Sequence, residues 1–280
     1  MEWEARWAKP AAAAAVLSVV LSVSAGLYVS SQLDGSPDAD HTRELLRLLD
    51  AQSSVFITGA VISGIGGLLL AVVLWYLFHA TRARRPELPK AALVLAFVGP
   101  VLLAIAGVAV QLDLIDRAGE FVAGGGKSEA RADDLVAERP ALLQSIGLSG
   151  ALAVAFATVV ISQNAMRVGL LNRFLGVLGI VVGAFYVLGT LFPLGGDLIR
   201  LFWLIGLGLV FLGWTPGGRG ETWETGEAAV WSTAAQRRAE VFAEAEAEAE
   251  GASSAPVEEE GDAAPAASTR SSRKRKKKRR

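Results

Sequence analysis

The arrangement best suited to chemistry is Gly147-Leu148-Ser149-Gly150, a serine set among glycines in an uncharged stretch. A serine hydroxyl is a poor nucleophile at neutral pH unless a neighbouring base takes its proton, and histidine is the usual base. The chain has two histidines, His41 and His79, and none beyond residue 79. It has no cysteine, which excludes thiolate nucleophiles, disulfides, iron–sulfur clusters and thiolate zinc sites. The pairs Asp113/Asp116 and Asp133/Asp134 suit a hard cation, but bare acidic pairs are more often solvated faces. Gly124-Gly125-Gly126-Lys127-Ser128-Glu129 has the glycines of a phosphate-cradling loop without the Walker spacing or a preceding strand. No cofactor or metal is expected.

The elements that must carry these residues follow from the distribution of charge. Uncharged stretches of 24, 31, 22, 27, 23 and 18 residues follow Lys9, Asp50, Lys90, Arg139, Arg173 and Arg200. A stretch of about 17–25 apolar residues spans a bilayer as a helix, because only a helix satisfies its own backbone in hydrocarbon. The expectation is an all-α, polytopic membrane bundle of six spans, at about 10–31, 55–80, 91–112, 141–164, 174–194 and 198–214. The start of the chain also has signal-peptide grammar, with Val23-Ser24-Ala25 as a small-residue cleavage site. The apolar run continues through Tyr28 and Val29, and Glu2 and Glu4 weaken the basic flank, so an uncleaved helix is expected.

Lys and Arg density in short loops sets orientation. Residues 81–90 hold four basic residues and one acid, and 167–173 hold two and none. Residues 34–50 hold five acids against two basic residues, and 113–139 hold seven against four. Both termini are therefore expected in the cytoplasm, with Trp3, Trp7, Trp75, Tyr76 and Trp214 at the inner interface and the plasma membrane as the site. This topology puts His41 outside and His79 inside, so they cannot share an ion. Asp40 could cap a short helix whose Leu45, Leu46, Leu48 and Leu49 lie on the outer membrane face, or that helix extends the second span. A second short helical pattern covers Ser128 to Glu138.

Small residues four apart allow helices to approach closely in lipid. Gly59, Ser63 and Gly67 form one such stripe, Gly147, Ala151 and Ala155 a second, Gly179 and Gly183 a third, and Ala14, Ser18, Ser22 and Gly26 a fourth. Pro100 after Gly99 is expected to kink the third span. Ionisable residues inside spans mark ion and proton paths, and no span has one at mid-depth. Arg200 is expected to snorkel at the outer end of the sixth span, paired with Asp197. Gln111, Gln163 and Asn164 also fall toward span ends. The second and third spans share a pattern with the fourth and fifth: a small-residue helix, a basic inner turn, then another helix. A duplicated hairpin fits a transporter as well as simple bundle growth.

Residues 1–218 form the expected transmembrane domain and 219–280 a cytoplasmic tail, partly helical over 228–250. The tail carries net −9 over residues 215–262 and net +9 over 263–280. The helix would have Glu240, Glu244 and Glu248 stacked near its C-terminal end, and the remainder is expected to be disordered. The terminal basic run, Arg273, Lys274, Arg275, Lys276, Lys277, Lys278, Arg279 and Arg280, suits anionic lipids of the inner leaflet. No aromatic lies in 263–280 to stack on bases, so nucleic acid would bind there only nonspecifically.

A six-helix membrane protein with GxSG in its fourth helix resembles the rhomboid intramembrane proteases, which activate that serine with a histidine from the sixth helix. Here the sixth reads LFWLIGLGLVFLG, so the resemblance implies at most an inactive relative. The basic hairpin WYLFHATRARRPELPKAALVLAFVG and the segment AMRVGLLNRFLGVLGIVVGAF resemble a family of uncharacterised bacterial six-helix membrane proteins, a domain of unknown function. That resemblance implies a plasma-membrane bundle and no catalytic residue to carry over. The reading is a non-enzymatic membrane scaffold or regulatory component, its partners the bilayer and, through the tail, anionic lipids; no protein partner is identified. The alternative is a small transporter of a neutral or amphipathic solute.

Overall fold

Two long apolar helices begin directly after prolines, Pro89 and Pro140, and helices cross closely where glycine or alanine permits contact. The computed structural model describes residues 2–32, 42–125, 128–138, 140–191, 196–215, 220–229 and 242. Among these there is no strand, and the elements are α1 (Glu2–Gln32), α2 (Thr42–Ala51), α3 (Ser53–Arg84), α4 (Lys90–Ala123), α5 (Glu129–Ala137), α6 (Ala141–Arg167), α7 (Arg173–Leu191), α8 (Gly196–Leu212) and α9 (Glu221–Thr225). Four helices, α1, α3, α4 and α6, are long and apolar enough to cross a membrane. Their outward faces carry exposed Leu17, Val20, Leu27, Phe97, Ile105 and Phe156, as lipid contact requires. This is a membrane protein.

The helix contacts run α1–α3–α4–α6–α7–α8, and α8 returns to α1. The main core lies between them, with Leu74, Leu77, Ile161, Trp203 and Phe211 fully buried. Close crossings occur at glycines. A methyl group at Gly59 would lie 2.5 Å from Val29 Cγ2, and one at Gly150 2.9 Å from the Leu103 amide nitrogen. At Gly183 it would lie 2.6 Å from Val159 Cγ2, and at Gly179 2.8 Å from Ser162 Cβ. Ala151 is buried in α6 beside the Gly150 crossing. In the α3 stripe the contact falls on Gly66, whose carbonyl accepts a 2.7 Å hydrogen bond from Ser18 Oγ, whereas Gly67 meets nothing within 4 Å. Helix α4 runs through Pro100 without interruption, and Gly99 beside it admits Val154 of α6.

Helices α2 and α5 cap the α4 end remote from Arg84. Leu46 and Leu49 of α2 pack on Ala118 and Phe121 of α4 and on Ala132 and Leu135 of α5. So α2 buries Leu46 and Leu49 against protein, and Gln52 separates it from α3. Ser128 caps α5 by accepting from the Arg131 amide. Arg117 binds Asp113 at 2.8 Å and donates to the Leu135 carbonyl at 2.9 Å, tying α4 to α5.

At the opposite end α9, which lies past residue 218, packs on the bundle. Trp223 of α9 is buried there against Tyr76 and Phe211 and donates through Nε1 to the Leu170 carbonyl at 2.9 Å. Arg84 is the centre of this end, its side chain 1% exposed. Its guanidinium grips both oxygens of Glu4, the second at 3.0 Å, and donates to the carbonyls of Ala80 and Thr222. Gly169, at φ 80°, closes α6 with a Leu170-to-Ala165 bond, and a side chain there would collide with the Ala229 carbonyl. Ala228 and Ala229 are not helical, residue 242 is, and the rest of the helix expected over 228–250 lies outside the described residues. Arg273 to Arg280 lie outside them as well.

Candidate functional site

Ser149 is exposed on α6, and the described histidine, His79, packs on Trp3, Trp75 and Phe78 at the Arg84 end of α3. His41 lies outside the described residues. The structure thus brings no base to Ser149 among the described residues. No group of three or more potential metal-ligating His, Asp or Glu side chains occurs among the described residues either.

The feature with chemical potential lies between the helices instead. A cavity of about 270 Å³ opens among α3, α4, α6, α7 and α8. Ser63 and Gly67, expected at a helix contact, line it together with Pro100, Gly107, Tyr186 and Arg200. It exists because Gly64 and Gly67 offer no side chains on that face of α3 and Gly107 none on α4.

Arg200 does not snorkel outward. Its Nη2 is 3.4 Å from Ser22 Oγ, in the middle of the apolar run of α1, and its guanidinium interacts with the Tyr186 phenol. The side chain forms part of the cavity wall together with Tyr186. The expected pairing with Asp197 is present at 3.2 Å, but that carboxylate is 85% exposed while the Arg200 side chain is 21% exposed. A solvated partner compensates an interior cation weakly. Arg200 Nε is buried with no hydrogen-bond partner. A guanidinium has five N–H donors, and the Arg200 side chain forms part of the cavity wall.

A second cleft of about 800 Å³ between α4 and α6 shares Leu103 and Gly107 with the cavity. Gly147 lines it rather than sealing a crossing, and Val110 and Leu148 make its walls apolar. Its rim carries Asp113, Arg117 and Glu138, which pair with one another. Volumes of about 300–1,000 Å³ with apolar walls and a few polar groups are typical of small-molecule sites.

The family model for the domain of unknown function DUF4386 matches residues 11–223. The chain belongs to the DUF4386 family. The match ends on Trp223, the residue that docks α9 into the bundle, and it includes every residue lining the cavity. No curated protein and no solved structure matches this DUF4386 chain. Sequence reasoning missed Tyr186 and Trp223. A lone tryptophan in the acidic run ETWETGE was the available signal for Trp223, since an indole in a solvated tail has nothing to bury against.

Proposed function

We propose that this protein is a six-span membrane protein of the plasma membrane, both termini cytoplasmic, that binds and carries an amphipathic solute through its helix bundle without catalysing a reaction. Helices α7 and α8 supply the fifth and sixth crossings: 19 and 17 residues give about 28 and 26 Å, close to a hydrocarbon core of about 30 Å. The basic residues Arg82, Arg84, Arg85, Arg167 and Arg173 gather at one end of the helices and support that end as cytoplasmic. One observation carries the functional reading: Arg200 and Tyr186 face a cavity inside the bundle that adjoins an apolar cleft. An intramembrane cation beside open volume is the usual mark of a substrate site. A scaffold needs neither.

A ligand that binds only the folded state raises the unfolding temperature. Amphipathic solutes are expected to raise the Tm of the detergent-solubilised protein where hydrophilic ones do not. Substituting Gly67→Leu, which fills the cavity, should remove the shift. A screen in which no amphiphile shifts Tm, or a shift that survives Gly67→Leu, contradicts the reading.

A further inference from the structure

The solute class follows from the charge that lines the cavity, an argument that rests on the binding reading above. We propose that Arg200 and Tyr186 seat the carboxylate of a single-chain amphipathic acid, a long-chain fatty acid in its chemistry, whose chain lies in the adjoining cleft between α4 and α6.

The charge selects the headgroup. Arg200 lines the cavity with its charge balanced by a carboxylate that sits in solvent, one weak contact to Ser22 and the neutral Tyr186 phenol. A planar monoanion accepts from a guanidinium fork and from a phenol at once. A dianionic phosphate would bring a second charge against Asp197 and, among the described residues lining the cavity, meet no cation besides Arg200. Ser63 is the other polar side chain on the cavity wall, and it is neutral. The orientation follows as well. At the far rim of the cleft, the Arg117 charge is already balanced by Asp113 and Glu138, so it attracts an anionic headgroup less than Arg200 does. Between rim and cavity the walls are Leu103, Val110, Leu114, Leu143 and Leu148, which suit an acyl chain. Gly107 stands where the two volumes meet, and nothing lies within 4 Å of the position its side chain would take.

The test is displacement of a fluorescent fatty acid from the full chain in detergent by four sixteen-carbon competitors: the acid, its methyl ester, the primary alcohol and the phosphate monoester. Charge-assisted hydrogen bonds predict that the acid binds about 10–100-fold more tightly than ester or alcohol. Arg200→Gln should erase that preference, Arg200→Lys should keep part of it, and Tyr186→Phe should reduce it a few-fold. Gly107→Leu, placed in open space, should block acid binding while leaving the fold intact, so the proposal stays testable if Arg200→Gln fails to fold. Equal displacement by acid and alcohol overturns the carboxylate assignment and leaves amphiphile binding standing. Tighter binding of the phosphate overturns the assignment in favour of a dianion. No displacement by any competitor defeats the assignment and the binding reading together.

Discussion

Two arginines in this chain are held in opposite ways. Arg84, at the end where α1, α3 and α9 meet, makes five donor contacts: two to Glu4, two to Thr222 and one to Ala80, with Trp223 beneath its plane at 5.6 Å. Arg200, between α1, α7 and α8, touches Ser22 and the exposed Asp197 through one nitrogen, interacts with the Tyr186 phenol and keeps a buried Nε without an acceptor. A buried cation whose donors are all spoken for joins elements and can receive nothing more. A cation with donors to spare beside a cavity costs stability, and that cost is sensible where a ligand completes the set.

The contrast is open to direct attack. Arg84→Ala leaves Glu4 buried without a partner and should cost about 3–5 kcal/mol in reversible unfolding in detergent. Arg200→Ala, leaving only an exposed Asp197, should cost far less, and equal losses would erase the distinction between the two sites. Trp223→Ala should also cost about 3–5 kcal/mol, the usual range for a buried aromatic, and release α9 to proteolysis. If α9 is instead a solvated tail, that substitution will leave unfolding unchanged. Overpacking the α4–α6 crossing with Gly150→Val should cost about 1–3 kcal/mol, whereas Gly67→Ala, facing open volume, should stay within about 0.5 kcal/mol. Asp197→Asn should change stability by less than about 1 kcal/mol because the carboxylate is solvated.

The legibility of the sequence differs between these regions for physical reasons. Long uncharged runs mark helices wherever they occur, which is why α1, α3, α4 and α6 could be read from charge spacing alone. Their ends could not, because a helix continues past its last apolar residue when side chains pair along it, as Asp113 and Arg117 do four apart in α4. A stripe of small residues reveals a contact face only to within one position. Gly66 and Gly67 are adjacent, so they point about 100° apart, and tertiary packing decides that Gly66 meets α1 and Gly67 the cavity. The direction of the Arg200 side chain was likewise hidden, since an i,i+3 pair with Asp197 is compatible with either an outward or an inward guanidinium. The cavity it lines is bounded by α3 and α4, two elements far away in the chain.

The most direct test of an accessible cavity around Arg200 uses the absence of native cysteine. Thiol modification needs the thiolate, which forms only where water reaches. A Gly67→Cys variant in native membranes is predicted to react with a small water-soluble thiol reagent and to be protected by a long-chain fatty acid, while Leu17→Cys on the outward face of α1 stays unreactive. A Gly67→Cys thiol as inert as the Leu17→Cys thiol would contradict the account.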